Sequence, residues 1–154
     1  MSGHGVARRR LVRAGARGLV AAMAMTGVRT LMGALAPHEK SPPQAIVDEH
    51  APAAVSRLPE RRRAALTELA HWTYGTGGGV AFGVLPRRVR EHPAAGPAYG
   101  LGVWLAFELV LAPALGIQHA RHRQVAWRAA IAVDHVLYGV VVADRLAPEP
   151  PGRR

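Results

Sequence analysis

Four apolar stretches, each close to the length that crosses a bilayer, constrain this chain more than any other feature. They cover residues 14–36, 66–86, 96–116 and 126–147 of the 154. Roughly 20 apolar residues span the ~30 Å hydrocarbon core of a membrane. Charges interrupt all four: Arg17 and Arg29, Glu68, Glu108, then Arg128, Asp134 and Asp144. The third is cleanest, with Glu108 the one charge between Pro93 and Gln118. Gly77, Gly78, Gly79 and Pro113 would weaken a soluble helix but suit membrane helices. A soluble bundle carries a polar stripe on every helix, and residues 72–86 are uncharged on all faces. The expectation is all-α: a four-helix transmembrane bundle made of two helical hairpins.

Composition narrows the alternatives. The chain is 49% hydrophobic and 19% charged, too apolar for a disordered basic tail despite a formal charge of +10. With no cysteine, disulfide scaffolds, Cys-based zinc sites and thiol nucleophiles are excluded. The organisation expected is a basic flank (1–13), one membrane domain (14–147) and a proline-rich tail (148–154). Inside the domain, residues 37–65 form a long polar loop with a short surface helix near 43–54. The connections at 87–95 and 117–125 are short, which makes neighbouring helices antiparallel.

Basic residues set the expected sidedness. With the N-terminus inside, eleven Arg lie on the cytoplasmic side and eight Lys or Arg on the other. That favours both termini on the cytoplasmic side of the membrane. Arg8-Arg9-Arg10 followed by Ala34-Leu35-Ala36 has the form of a cleaved targeting segment. Arg29 inside its apolar region and Pro37 after the cut point instead to an uncleaved first helix. The Arg runs 8–10 and 61–63 abut apolar stretches and carry no interleaved aromatics. Their expected partners are the bilayer and its anionic lipid headgroups, and not nucleic acid. A homo-oligomer or a membrane partner stays open.

An internal echo ties the two hairpins together. His71-Trp72-Thr73-Tyr74-Gly75 matches His135-Val136-Leu137-Tyr138-Gly139, each placing His, Tyr and Gly on one helical face. Steps of four extend the first to Gly79 and Gly83, and the second to Ala143. Small-residue stripes let membrane helices approach closely, so Gly75, Gly79, Gly83 and Gly139 are expected in helix contacts. Equivalent placement in both hairpins suggests a pseudo-twofold along the membrane normal.

These residues carry a family resemblance. Pro37 with Ser41-Pro42-Pro43, Ala70-His71-x-x-Tyr74-Gly75 with Gly79 and Gly83, and Asp134-His135-x-x-Tyr138-Gly139 resemble the YagU-like bacterial inner-membrane proteins. So do Gly96, Tyr99-Gly100, Trp104, Pro113 and Gly116. The resemblance covers roughly residues 18–144 and implies a small four-helix membrane protein. It supplies no reaction.

Depth arithmetic at 1.5 Å per residue collects the intramembrane polar groups into one layer. Arg29 lies roughly 10 Å from the end of helix one and His71 roughly 8 Å into helix two, with Glu68 one turn shallower. Glu108 and Asp134 each lie roughly 12 Å in, with His135 beside Asp134. Buried ionisable groups pair or line a wet cavity. Arg29 is expected to pair with Glu108 first and Asp134 second.

Three readings stand for this layer. It is a structural knot, or a proton or solute pathway, or a metal or haem site. For the third, Glu68-Leu69-Ala70-His71 has the Glu-x-x-His spacing of di-iron bundles. Glu68, His71, Glu108 and His135 are its weak metal candidates, and no cofactor is predicted. His119 and His122 read as solvated, and Gly77-Gly78-Gly79 is no phosphate loop. Trp72, Tyr99 and Trp127 suit an interfacial belt, while Trp104 packs between helices. No acyl-transfer arrangement stands out. The function expected is transport, proton handling or homeostasis, with a non-catalytic scaffold or a metal- or haem-binding oxidoreductase as alternatives.

Overall fold

The computed structural model describes residues 3–35, 44, 46–47, 50–114 and 125–144. All regular structure among them is helical. Four long helices dominate: α1 (Gly3–Leu35), α2 (Glu60–Val84), α3 (Ala95–Ala114) and α4 (Val125–Val142). Short helical turns at Ala53–Ser56 and Arg87–Arg90 join them.

Proline places several of these boundaries. Pro52, Pro59 and Pro86 each precede a helical start with φ near −54°, the angle their rings impose. Pro97 falls in the first turn of α3, where a missing N–H costs nothing. Pro113 sits deeper. Its ring crowds the carbonyl of Leu109, four residues back. The turn before it, Phe107–Leu111, is opened into a π-helix, which relieves that crowding.

The helices start and stop differently from the apolar stretches. α1 begins at Gly3, so residues 3–13 of the basic flank form its first three turns. α2 begins at Glu60, which takes residues 60–65 out of the expected long loop. Of the expected surface helix near 43–54, residues 44, 46–47 and 50 are helical, and Ile46 packs on Ala112 of α3. The tail 148–154, His119 and His122 lie outside the described residues.

Backbone-to-backbone contact holds each hairpin. A Cβ on Gly18 or Gly79 would collide with the opposing backbone of α1–α2, and Gly75 faces the Ala22 methyl at 2.5 Å from such a Cβ. Gly83 lies similarly over Ala14. In α3–α4, Gly100 meets the His135 carbonyl and Gly139 meets Gly96 and Gly100. Close approach of this kind is what small residues permit. A third contact, α1 against α4, joins the hairpins. There Ala21, Met25, Phe82, Tyr138 and Val142 form the core.

Two tyrosines clasp α2 onto the second hairpin. Tyr138 donates to the Gly75 carbonyl at 2.6 Å, and Tyr99 to that of Gly78 at 2.7 Å. The echo between the hairpins breaks here: Tyr138 is buried, whereas Tyr74 is 59% exposed. Only a tyrosine on the face toward another helix finds a carbonyl, and Tyr74 points outward.

Leu31, Leu109, Val110, Val20 and Val133 also point outward. Large apolar side chains thus line the outer faces of the helices, as a membrane-embedded surface requires. Three helices, α1 over Ala7–Ala34, α3 and α4, are long and apolar enough to cross a membrane. α2 is 25 residues long, about 37 Å at 1.5 Å per residue, but falls short in apolarity. Among the described residues three such helices, not four, meet the criterion. The protein is expected to stay with the membrane pellet through a carbonate wash and to need detergent for extraction. Recovery as a soluble monomer would overturn the membrane assignment.

Candidate functional site

The polar groups of α1, α2 and α4 converge in the inner part of the fold. Arg29 of α1 pairs with both carboxylate oxygens of Glu68 on α2. Their side chains are 16% and 28% exposed. Thr26 donates its hydroxyl to Glu68 Oε2 at 2.7 Å and accepts from Trp72 Nε1 at 3.0 Å. This network satisfies the charge pair on three sides, as burial demands.

Two histidines and an aspartate stand around that pair. His71 is within electrostatic range of Arg29, Glu68 and His135, and Asp134 within range of Arg29. His135 Nδ1 lies 2.9 Å from the Ile131 carbonyl, so that nitrogen carries a proton and Nε2 is left to accept or bind another. His71 Nε2 is buried and has no hydrogen-bond partner among the described residues. From the ends of their helices these groups lie between about 9 and 17 Å deep.

The structure re-pairs Arg29. The expected partners were Glu108 and then Asp134, but Glu68 takes the guanidinium. The reason lies in α2, which starts two turns before its apolar stretch. Glu68 is thereby carried about 12 Å into the helix, and the glycine contacts hold α2 against α1. Asp134 remains nearby without a direct bond to Arg29.

Glu108 stands apart from this cluster. It is buried in the π-turn of α3, 3.6 Å from Arg128 of α4. The six residues expected in one layer therefore divide: Glu68, His71 and Asp134 lie with Arg29, His135 lies by His71, and Glu108 is separate. The metal candidates Glu68, His71, Glu108 and His135 do not assemble: among the described residues no group of three or more His, Asp or Glu could hold a metal ion.

Sequence reasoning missed Thr26, Trp72 and Arg128 as polar partners. Trp72 was assigned to the interface because it falls near a segment end. Its indole instead turns inward to Thr26, one turn before Arg29 on α1. At the opposite end of the fold, Arg17 pairs with Asp144 across α1 and the turn after α4, which ties the two hairpins a second time.

Fold and site together define an all-helical, membrane-compatible protein with ionisable groups buried between its helices. No family model matches this chain, and no curated protein or solved structure matches it.

Proposed function

We propose that this is a multipass inner-membrane protein in which α1 to α4 form a four-helix bundle, with the two hairpins related by a pseudo-twofold and both termini cytoplasmic. The family proposed for it is the YagU-like proteins, on the sparse Gly, His, Pro and aromatic positions that carry the resemblance. The Arg runs at 8–10 and 61–63 would rest on anionic lipid headgroups. The activity proposed is proton handling or proton-coupled transport through the layer of Arg29, Glu68, His71, Asp134 and His135.

One observation supports this reading above the others. The buried, unpartnered Nε2 of His71 faces a layer that holds a charge pair, an aspartate and a second histidine from another helix. A proton bound at that nitrogen would interact with groups from both hairpins, which is the arrangement a relay uses. The competing reading, a structural knot in a scaffold, is favoured by the full set of bonds around Arg29 and Glu68.

Proton flux separates the two. In proteoliposomes carrying a pH-sensitive dye, an imposed gradient is expected to collapse faster than in empty vesicles. His71→Ala and His135→Ala should each lower that flux at least tenfold, an effect of about 1.4 kcal/mol, while remaining folded in detergent. Wild-type flux equal to that of empty vesicles would leave the knot as the better reading.

A further inference from the structure

A recess opens at the end of the fold away from the Arg29 layer. It holds about 410 Å³, within the ~300–1,000 Å³ range of small-molecule sites. Part of its lining is apolar and buried: Phe82 of α2 is 5% exposed and Val142 of α4 is 1% exposed. The charged part is at least partly exposed. It comprises Arg10 and Arg17 of α1, Arg90 and Glu91 of the α2–α3 connection, and Asp144 after α4.

Helix lengths set the level of this recess. A Cβ on Gly83 would stand 2.8 Å from that of Ala14, and both residues line the recess. α2 stops one residue later, at Val84, and α4 stops at Val142. α1 runs on outward from Ala14 to Gly3, about 16 Å further. The recess therefore lies where two of the four long helices end, with the basic start of α1 beside it. In a membrane that is the level of the headgroups.

Two of its three guanidiniums have no carboxylate partner among the described residues. Arg17 is paired with Asp144. Glu91 accepts from Arg87, outside the recess, at 2.6 Å. Arg90 donates Nε to the Leu85 carbonyl at 2.9 Å, at the end of α2 where unpaired carbonyls favour a cation. Arg10 has no such role. It lies on the first turns of α1, makes no hydrogen bond or ion pair among the described residues, and still lines the recess.

We propose that this recess binds one anionic phospholipid, with its phosphate on Arg10 and Arg90 and its glycerol end against Phe82 and Val142. The premise is the membrane placement proposed above; proton movement through the Arg29 layer is not needed. A phosphodiester carries the negative charge that the recess lacks, and guanidinium groups hold phosphate oxygens through paired N–H bonds. Free phosphate would leave the apolar lining unused. Basic pockets between membrane helices take acidic headgroups in this way. A lipid seated here touches α1, the end of α2 and α4, and so bridges the hairpins beside the Arg17–Asp144 pair.

Native mass spectrometry of the detergent-solubilised full chain, titrated with phosphatidylglycerol, tests this. One lipid per chain is expected to be retained in preference to phosphatidylcholine. Arg10→Gln removes a side chain with no bond inside the fold and should weaken retention about fivefold; adding Arg90→Gln should bring the loss to at least about tenfold. Arg62→Gln with Arg63→Gln takes two charges from the far end of α2 and should leave retention unchanged. Asp144→Asn keeps a residue type that tolerates the φ of 64° found there and releases Arg17, so retention should strengthen. Equal retention of phosphatidylcholine would overturn the proposal. So would an equal loss in the Arg62–Arg63 variant, or a weakening by Asp144→Asn. Saturable binding of inorganic phosphate, lost in Arg10→Gln, would give the recess to a soluble anion and overturn it too. A membrane-resident chain that retains no lipid defeats this proposal alone, whereas recovery as a soluble monomer defeats its premise.

Discussion

Replacing Gly100 by valine is expected to abolish the folded protein, while the same change at Gly102 should be tolerated. A Cβ at Gly100 falls onto the His135 carbonyl oxygen and reaches the Gly139 nitrogen at 3.0 Å. Both obstacles are backbone, so no rotamer change relieves them and α3 must move off α4. Overpacking that side chains can absorb costs about 1–3 kcal/mol. Here the whole hairpin contact is at stake, and a loss above about 3 kcal/mol is a large share of a typical stability. At Gly102 nothing lies within 4 Å, and the effect should stay within about 0.5 kcal/mol. Gly18→Val against Gly77→Val is the same comparison in the first hairpin. Thermal unfolding in detergent, followed by circular dichroism, reads all four. Melting temperatures of Gly100→Val and Gly102→Val that agree would remove close packing as the basis of the hairpin.

The second large effect concerns the Arg29–Glu68 pair. Arg29→Met is expected to destabilise by about 2 kcal/mol, because it leaves a part-buried carboxylate without its cation. Adding Glu68→Gln should recover most of that loss. The amide still accepts the Thr26 hydroxyl, and no unpaired charge remains. A double-mutant cycle on the two positions should therefore show a coupling of about 2 kcal/mol. Arg29→Met with Glu108→Gln should show no such recovery, since Glu108 faces Arg128. Additive losses at positions 29 and 68 would show that the pair contributes little beyond its separate side chains.

Much of the architecture was readable from residue order. The all-helical class and the presence of helices long and apolar enough to cross a membrane followed from the apolar lengths, although three helices among the described residues, not four, meet that criterion. Gly75, Gly79, Gly83 and Gly139 stood out because steps of four align small residues on one face. Boundaries were less legible. Arg8 to Arg13 and Arg61 to Arg63 read as flanks on hydropathy, yet arginine is a good helix former, and both runs continue their helices outward. Gly18 and Gly100, the partners across each contact, sit in four-residue steps of small residues as well (Ala14, Gly18, Ala22; Gly96, Gly100), but which stripe meets which is not written in either helix alone.

Residue order by itself determined that this chain makes long apolar helices with small residues and buried ionisable groups along them. Those are properties of one segment at a time: length, period and composition. Tertiary structure alone decided that Arg29 meets Glu68 and not Glu108, that Tyr138 turns inward and Tyr74 outward, and that Glu108 faces Arg128. Each of those outcomes depends on the axial offset and rotation of one helix against another. Backbone contacts at glycine set that offset and rotation, and no single helix's pattern encodes them.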